Sequence, residues 1–271
     1  MSEEGERLDA LRRIREKNCG GYEDKKLFAI LYDLLEDDIL SPDQAVERIV
    51  GGFSPPACLW SSMIEHFDPR HLGQDSLALM IEALSQTTWN EDHYHGKEFP
   101  SWKGLPLFEE FVTYRWTERL VKYKNLFKAH RELQSGRCYG SIEKWVNFNS
   151  FAARLLGKNL VKCWKFAVWA LQDALDNKAN GEHLLEERVL VACEWILHAG
   201  NALFHMLSKD KHPDGLDRET WAFWKRRFYE TYDSDRTAEF GSKALSAARG
   251  MELIEVREEN RGKMRRKKTD C

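Results

Sequence analysis

No CxxC pair occurs in this sequence, although it holds six cysteines: Cys19, Cys58, Cys138, Cys163, Cys193 and Cys271. Their spacing follows no zinc-ligand pattern, which excludes the common zinc modules and a thioredoxin-type redox pair. The opening residues, MSEEGERLDALRR, lack the apolar core of a secretory signal. No apolar run approaches the ~20 residues that a membrane span needs. These absences lead us to expect a chain of a reducing compartment, cytoplasmic or, through its basic end, nuclear. Cys163 and Cys193 are then expected to be free, buried thiols. Proline is scarce, at seven in 271 residues, so helices can run long. An alternating strand pattern is missing, as is any fixed-period repeat, which excludes β-barrels and solenoids.

What is present suits a packed core. Hydrophobic residues make up 42% and charged residues 31% of the chain, which argues against disorder. There are ten tryptophans, each with a large apolar body and one N–H that needs an acceptor. The net charge of −3 is unevenly spread. Residues 257–268 carry seven basic and two acidic side chains, a net of +5 that leaves −8 on the rest.

Periodicity is helical wherever it can be read. Helices are predicted over 24–37, over 41–52 with Ser41 as cap and Pro42 in the first turn, and from Pro55–Pro56 through Trp60 and Ile64. Further helices are predicted over 74–87, 107–134, 141–157, 159–178, 183–208, 217–231 and 238–256. Residues 88–106, with His93, His95, Gly96, Pro100, Gly104 and Pro106, read as a loop. The fold expected is all-α: one compact domain of about nine to ten helices over 1–256, with a flexible basic tail over 257–271.

Three constellations stand out. Residues 183–208 are apolar nearly all round, as in a central helix. One polar stripe breaks that surface: Glu187, Glu194, His198, Asn201 and His205. It is either a solvent strip or the lining of an interior pocket, where a carboxylate and an imidazole one turn apart can act as cation receptor and general base. No second carboxylate–histidine set completes a metal site there, and neither a metal nor another cofactor is assigned. In 142–157, Trp145, Phe148, Ala152 and Leu155 form an apolar face, with Asn147, Ser150 and Arg154 on the opposite side. Asn149 falls on the apolar side and must be hydrogen-bonded there, either tying two helices together or pointing into a ligand site. Ser150 is a nucleophile by type, but no local motif marks it as activated. In 159–178, Lys162, Lys165, Trp169, Gln172, Asp173 and Asp176 share one arc, with Asp173 at its edge. Trp221, Trp224 and Phe228 form a stripe that reads as core.

The segment RGKMRRKK supplies Arg261, Lys263, Arg265, Arg266, Lys267 and Lys268. A block of this charge attracts polyanions, serves as a nuclear address, or solubilises a chain end.

Four segments resemble one fungal family: WVNFNSFAARLL from Trp145, WALQDAL from Trp169, ACEWILHAG from Ala192, and LDRETWAFWKRRF from Leu216. The resemblance runs from about Lys26 to Val256, and W-x-x-W-K-x-R-F is its most specific part. That family is known mainly as a domain of unknown function and is associated with the arginine-containing cyclodipeptide synthases. The resemblance implies a helical cytosolic protein of specialised metabolism. It implies an enzyme that takes arginyl-tRNA and a second aminoacyl-tRNA and releases a cyclic dipeptide. Set against that chemistry, Glu194 or Asp173 is a candidate receptor for the guanidinium, with Trp145 and His205 as further substrate-binding candidates. His198 is the candidate base for the attacking amine. Asn149 and Asn201 are candidate donors to the developing oxyanion. The basic tail is the candidate surface for tRNA. From different classes, the alternatives are a non-catalytic helical interaction protein and an enzyme modifying a small metabolite.

Overall fold

The computed structural model describes residues 22–35, 39–52, 73–87, 103–105, 108–133, 139–176, 185–207, 217–234 and 238–269. Among these, nine α-helices and no strand are present: α1 Tyr22–Leu35, α2 Pro42–Gly52, α3 Gln74–Gln86, α4 Phe108–Leu133, α5 Tyr139–Gly157, α6 Trp164–Leu175, α7 Leu185–Leu207, α8 Arg218–Ser234 and α9 Ala238–Thr269. The all-α expectation holds. The helix expected at 55–64 and nearly all of the 88–106 loop lie outside the described residues.

The helices group into two compact units, Met1–Lys122 and Tyr123–Cys271. In the first, α1, α2 and α3 pack against one another. Leu27, Ile30, Leu31, Leu34 and Leu35 are buried on the α1 face that the periodicity picked out. Ser41 Oγ accepts the Gln44 N–H at 3.2 Å, while Gln44 Oε1 accepts the Ser41 N–H at 2.9 Å. That reciprocal cap, with Pro42 in the first turn, starts α2 where the sequence placed it.

The second unit is built around α7, which packs against α5, α6 and α9, while α8 lies on α9 and α6. The segment Glu186–Leu207 of α7 is long and apolar enough to cross a membrane, yet 61% of that window is buried among neighbouring helices. Its hydrophobicity is accounted for by the core it forms. Three core tryptophans find acceptors for their N–H groups: Trp195 on Asn149 Oδ1 at 3.0 Å, Trp221 on Glu255 at 3.0 Å and Trp224 on Asp176 at 2.8 Å.

Two boundaries differ from expectation. The segment from residue 159 begins as a connector, and α6 starts only at Trp164. Asn159 adopts a left-handed φ of 57°, with Asn159 N–H on Leu156 O and Leu160 N–H on Leu155 O, both at 2.9 Å. This Schellman closure terminates α5 and cannot also begin a helix. At the other end, α9 continues helically to Thr269 instead of giving way to a flexible tail at 257. Gly262 costs a helix only about 1 kcal/mol, and Arg, Glu, Lys and Met are good helix formers. The Arg261–Glu258 pair at 2.6 Å adds support one turn apart.

Candidate functional site

A close approach between two helices in the second unit sets the site. A Cβ built on Gly157, at the end of α5, would lie 2.1 Å from the His198 carbonyl oxygen of α7. Only glycine allows the α5 backbone to reach that depth. One and two turns before this contact, α5 presents Arg154 and Ser150 towards α7. The helix is buried on all sides from Trp145 to Leu156. Asn147, Ser150 and Arg154, expected on a polar outer face, are therefore interior, at 5%, 0% and 7% exposure. Amphipathic bookkeeping failed here because it assigns polar residues to water whenever a second face is apolar.

Glu194 is the hub. Its carboxylate is buried and accepts the Ser150 hydroxyl on Oε2 at 2.6 Å. His198 Nε2 lies 3.2 Å from the same oxygen, and Lys243 Nζ of α9 reaches Oε1 at 3.5 Å. Arg154 Nη1 in turn donates to Ser150 Oγ at 2.5 Å. A buried carboxylate is tolerable only with partners of this kind, and here it has a hydroxyl, an imidazole and an ammonium. The His198 side chain is 26% exposed and that of Lys243 29%, so both reach solvent while the carboxylate they share stays buried. Beside them the Cys193 thiol is pushed well above its ordinary range, first by burial and then by the Glu194 charge, so it stays protonated.

The predicted polar stripe on α7 therefore divides. Glu194 is interior and His198 half-buried, whereas Asn201 is exposed and His205, at 51% exposure, lies 3.7 Å from Glu258 of α9. Asn149 is fully buried and spends both amide ends on structure. Its Nδ2 donates to Trp145 O at 2.9 Å, and its Oδ1 accepts the Trp195 N–H. Its bond to Trp195 ties α5 to α7.

Trp145 and Asp173 fall in a second cluster. Tyr123 stacks on Trp145 with centroids 4.9 Å apart, Trp169 meets Trp145 edge-on at 6.4 Å, and Lys124 Nζ stands 5.2 Å from the Trp169 ring centre. Asp173 lies 3.4 Å from Arg188 Nε, so it already holds a guanidinium of the chain itself. Burial raises the Asp173 pKa, against the opposing pull of Arg188 and Lys124. At the far end of α9, Arg261 and Lys263 are exposed, and the backbone of Arg265, Arg266, Lys267 and Lys268 continues the same helix. No group of three or more metal-ligating side chains occurs among the described residues.

Sequence reasoning missed the partners of Glu194. Lys243 sits between Ala244 and Gly241, both buried on α9, and a lone lysine beside a small-residue face was the available signal. Ser150 and Arg154 are one turn apart, the spacing of a side-chain pair.

Residues 60–228 match the family model described as "Protein of unknown function (DUF3632)". No curated protein and no solved structure matches the chain.

Proposed function

We propose that this chain, which belongs to the DUF3632 family of proteins of unknown function, is an aminoacyl-tRNA-dependent cyclodipeptide synthase with His198 as its proton acceptor. The observation that carries the reading is the partly exposed His198 imidazole backed by the buried Glu194 carboxylate at 3.2 Å. A carboxylate on one ring nitrogen fixes the imidazole's orientation, which leaves the other nitrogen aimed for use as a general base. Glu194 is itself held by Ser150 and Lys243, so it positions His198. It is not free to receive a substrate cation.

The reaction needs no cofactor. The α-amino group of one aminoacyl ester, as the neutral amine, attacks the carbonyl carbon of the other. His198 takes the proton, the new C–N bond forms, and the first tRNA leaves as its ribose hydroxyl after receiving that proton. The remaining amine then attacks the second ester. A six-membered ring closes and the second tRNA departs. The ester bonds supply the driving force for both amides. The basic end of α9, where Arg261 and Lys263 are exposed, is suited to contact the phosphate backbone. The choice of arginyl-tRNA rests on the family resemblance, because Glu194 and Asp173 both hold cations of the chain itself.

Expression in a bacterial host, with mass spectrometry of the medium for arginine-containing cyclic dipeptides, tests the proposal. Product from the native chain and none from His198→Ala is the expected outcome. Undiminished product from His198→Ala refutes the role given to this residue. A second reading, a helical interaction protein, draws on Leu253, Val256 and Met264, which are 57%, 54% and 67% exposed along α9. It predicts no cyclic dipeptide from any host.

A further inference from the structure

We infer that a cleft separate from the His198 site binds a free α-amino acid with an apolar side chain. The cleft, of about 470 Å³, lies where the last turns of α7, the first turn of α8 and the distal part of α9 converge. His205, on its α7 wall, is seven residues beyond His198, which is roughly 10 Å along the helix. Phe204 and Trp221 form its apolar floor, their rings 5.2 Å apart and edge to face.

The charges that line it decide the ligand class. Two of its three carboxylates are satisfied internally. Glu255 accepts the Trp221 N–H at 3.0 Å and holds Lys225 at 2.6 Å. Glu258 holds Arg261 at 2.6 Å and lies 3.7 Å from His205. Three further charged groups line the same space without an ion pair to any described residue: Glu259, Arg218 and Lys263. One carboxylate and two cations, unpaired among the described residues, stand above an aromatic floor and suit a ligand with an ammonium, a carboxylate and an apolar body. A free amino acid has all three, and its charged ends would make charge-assisted hydrogen bonds. An aminoacyl ester has no carboxylate to offer Arg218 and Lys263. The cleft is therefore a site for the free acid, distinct from the ester chemistry proposed at His198.

Equilibrium dialysis of the full-length protein against three small probes tests this. L-Phenylalanine carries both charged ends, L-phenylalaninamide lacks the carboxylate, and 3-phenylpropionate lacks the amine. Saturable binding of phenylalanine is expected, with both analogues weaker by about tenfold or more. Glu259→Gln should weaken phenylalanine by a similar factor and leave 3-phenylpropionate unchanged, while Arg218→Gln should weaken phenylalanine and leave the amide unchanged. Both positions are exposed, so neither change threatens folding. Amide binding as tight as phenylalanine would overturn the inference in favour of a simple cation cleft. Absence of saturable phenylalanine binding at millimolar concentration would overturn it outright. His198→Ala should retain phenylalanine binding while losing cyclic dipeptide, so the two readings fail separately.

Discussion

Replacing Gly157 by alanine tests the close approach on which the Glu194 cluster depends. The added Cβ would stand 2.1 Å from the His198 carbonyl oxygen, 3.2 Å from its carbon and 3.6 Å from the Ala199 Cα. Comfortable contact between carbon atoms begins at about 3.5 Å, so α5 and α7 must separate by roughly 1 Å or more. All three obstructing atoms are backbone, which leaves no side-chain rotation to absorb the overlap. Overpacking of this kind costs about 1–3 kcal/mol, and the rigidity of two facing helices favours the upper end. Against it stands a gain of at most about 1 kcal/mol in helix propensity. The net loss is about 2 kcal/mol, or roughly 4–8 °C in Tm for a unit of this size. The same separation would stretch the 2.6 Å bond from Ser150 to Glu194. Gly250→Ala in α9 is the matched control, since its Cβ meets nothing within 4 Å. That variant should gain up to about 1 kcal/mol. Thermal and urea unfolding of both variants give the comparison. A Gly157→Ala protein as stable as the native chain would refute the close approach and, with it, the geometry of the site.

Glu194→Gln removes the carboxylate between Lys243 and His198 and should cost about 3 kcal/mol in urea unfolding, the low end for a broken buried pair because both partners reach water. A loss below about 1 kcal/mol would mean that the cluster behaves as a surface pair. Asn149→Ala orphans the Trp195 N–H and should cost about 1–3 kcal/mol. The same change made in a Trp195→Phe background should cost less, and equal costs in a double-mutant cycle would deny the bond. Asp217 caps α8 by accepting the Thr220 N–H at 2.7 Å, and that bond lowers its pKa. Its stabilisation is thus present above the unfolded value near ~3.9 and lost as pH falls through the lower folded value. Tm measured across acid pH should therefore fall more steeply for the native chain than for Asp217→Ala, and parallel curves would contradict the cap. Truncation after Val256 should weaken tRNA binding and flatten the slope of its salt dependence by about 0.7–0.9 for each phosphate no longer neutralised. Equal salt slopes for the full and truncated chains would remove the basic helix from the mechanism.

Local rules carried much of the fold. A 3.6-residue period identified α1, α3, α5, α7 and α8 to within a few residues, because one apolar stripe per helix is what core burial demands. Ser41–Pro42 marked the start of α2, and the Trp221, Trp224 and Phe228 stripe was rightly read as core. Pairing Glu194 with His198 followed from their spacing alone, since side chains four residues apart lie on one helical face. What the sequence could not yield was what lies opposite. Ser150, Arg154 and Lys243 come to the Glu194 cluster from other helices, 44 and 49 residues away for the two that touch it. Only tertiary packing brings them there, and Gly157 lets the α5 and α7 backbones nearly touch. For the same reason Asn149 meets the Trp195 N–H, and Asp173 is held by Arg188. Periodicity assigns each residue to a face of its own helix, but whether that face meets water, a carboxylate or a guanidinium depends on which helix packs against it.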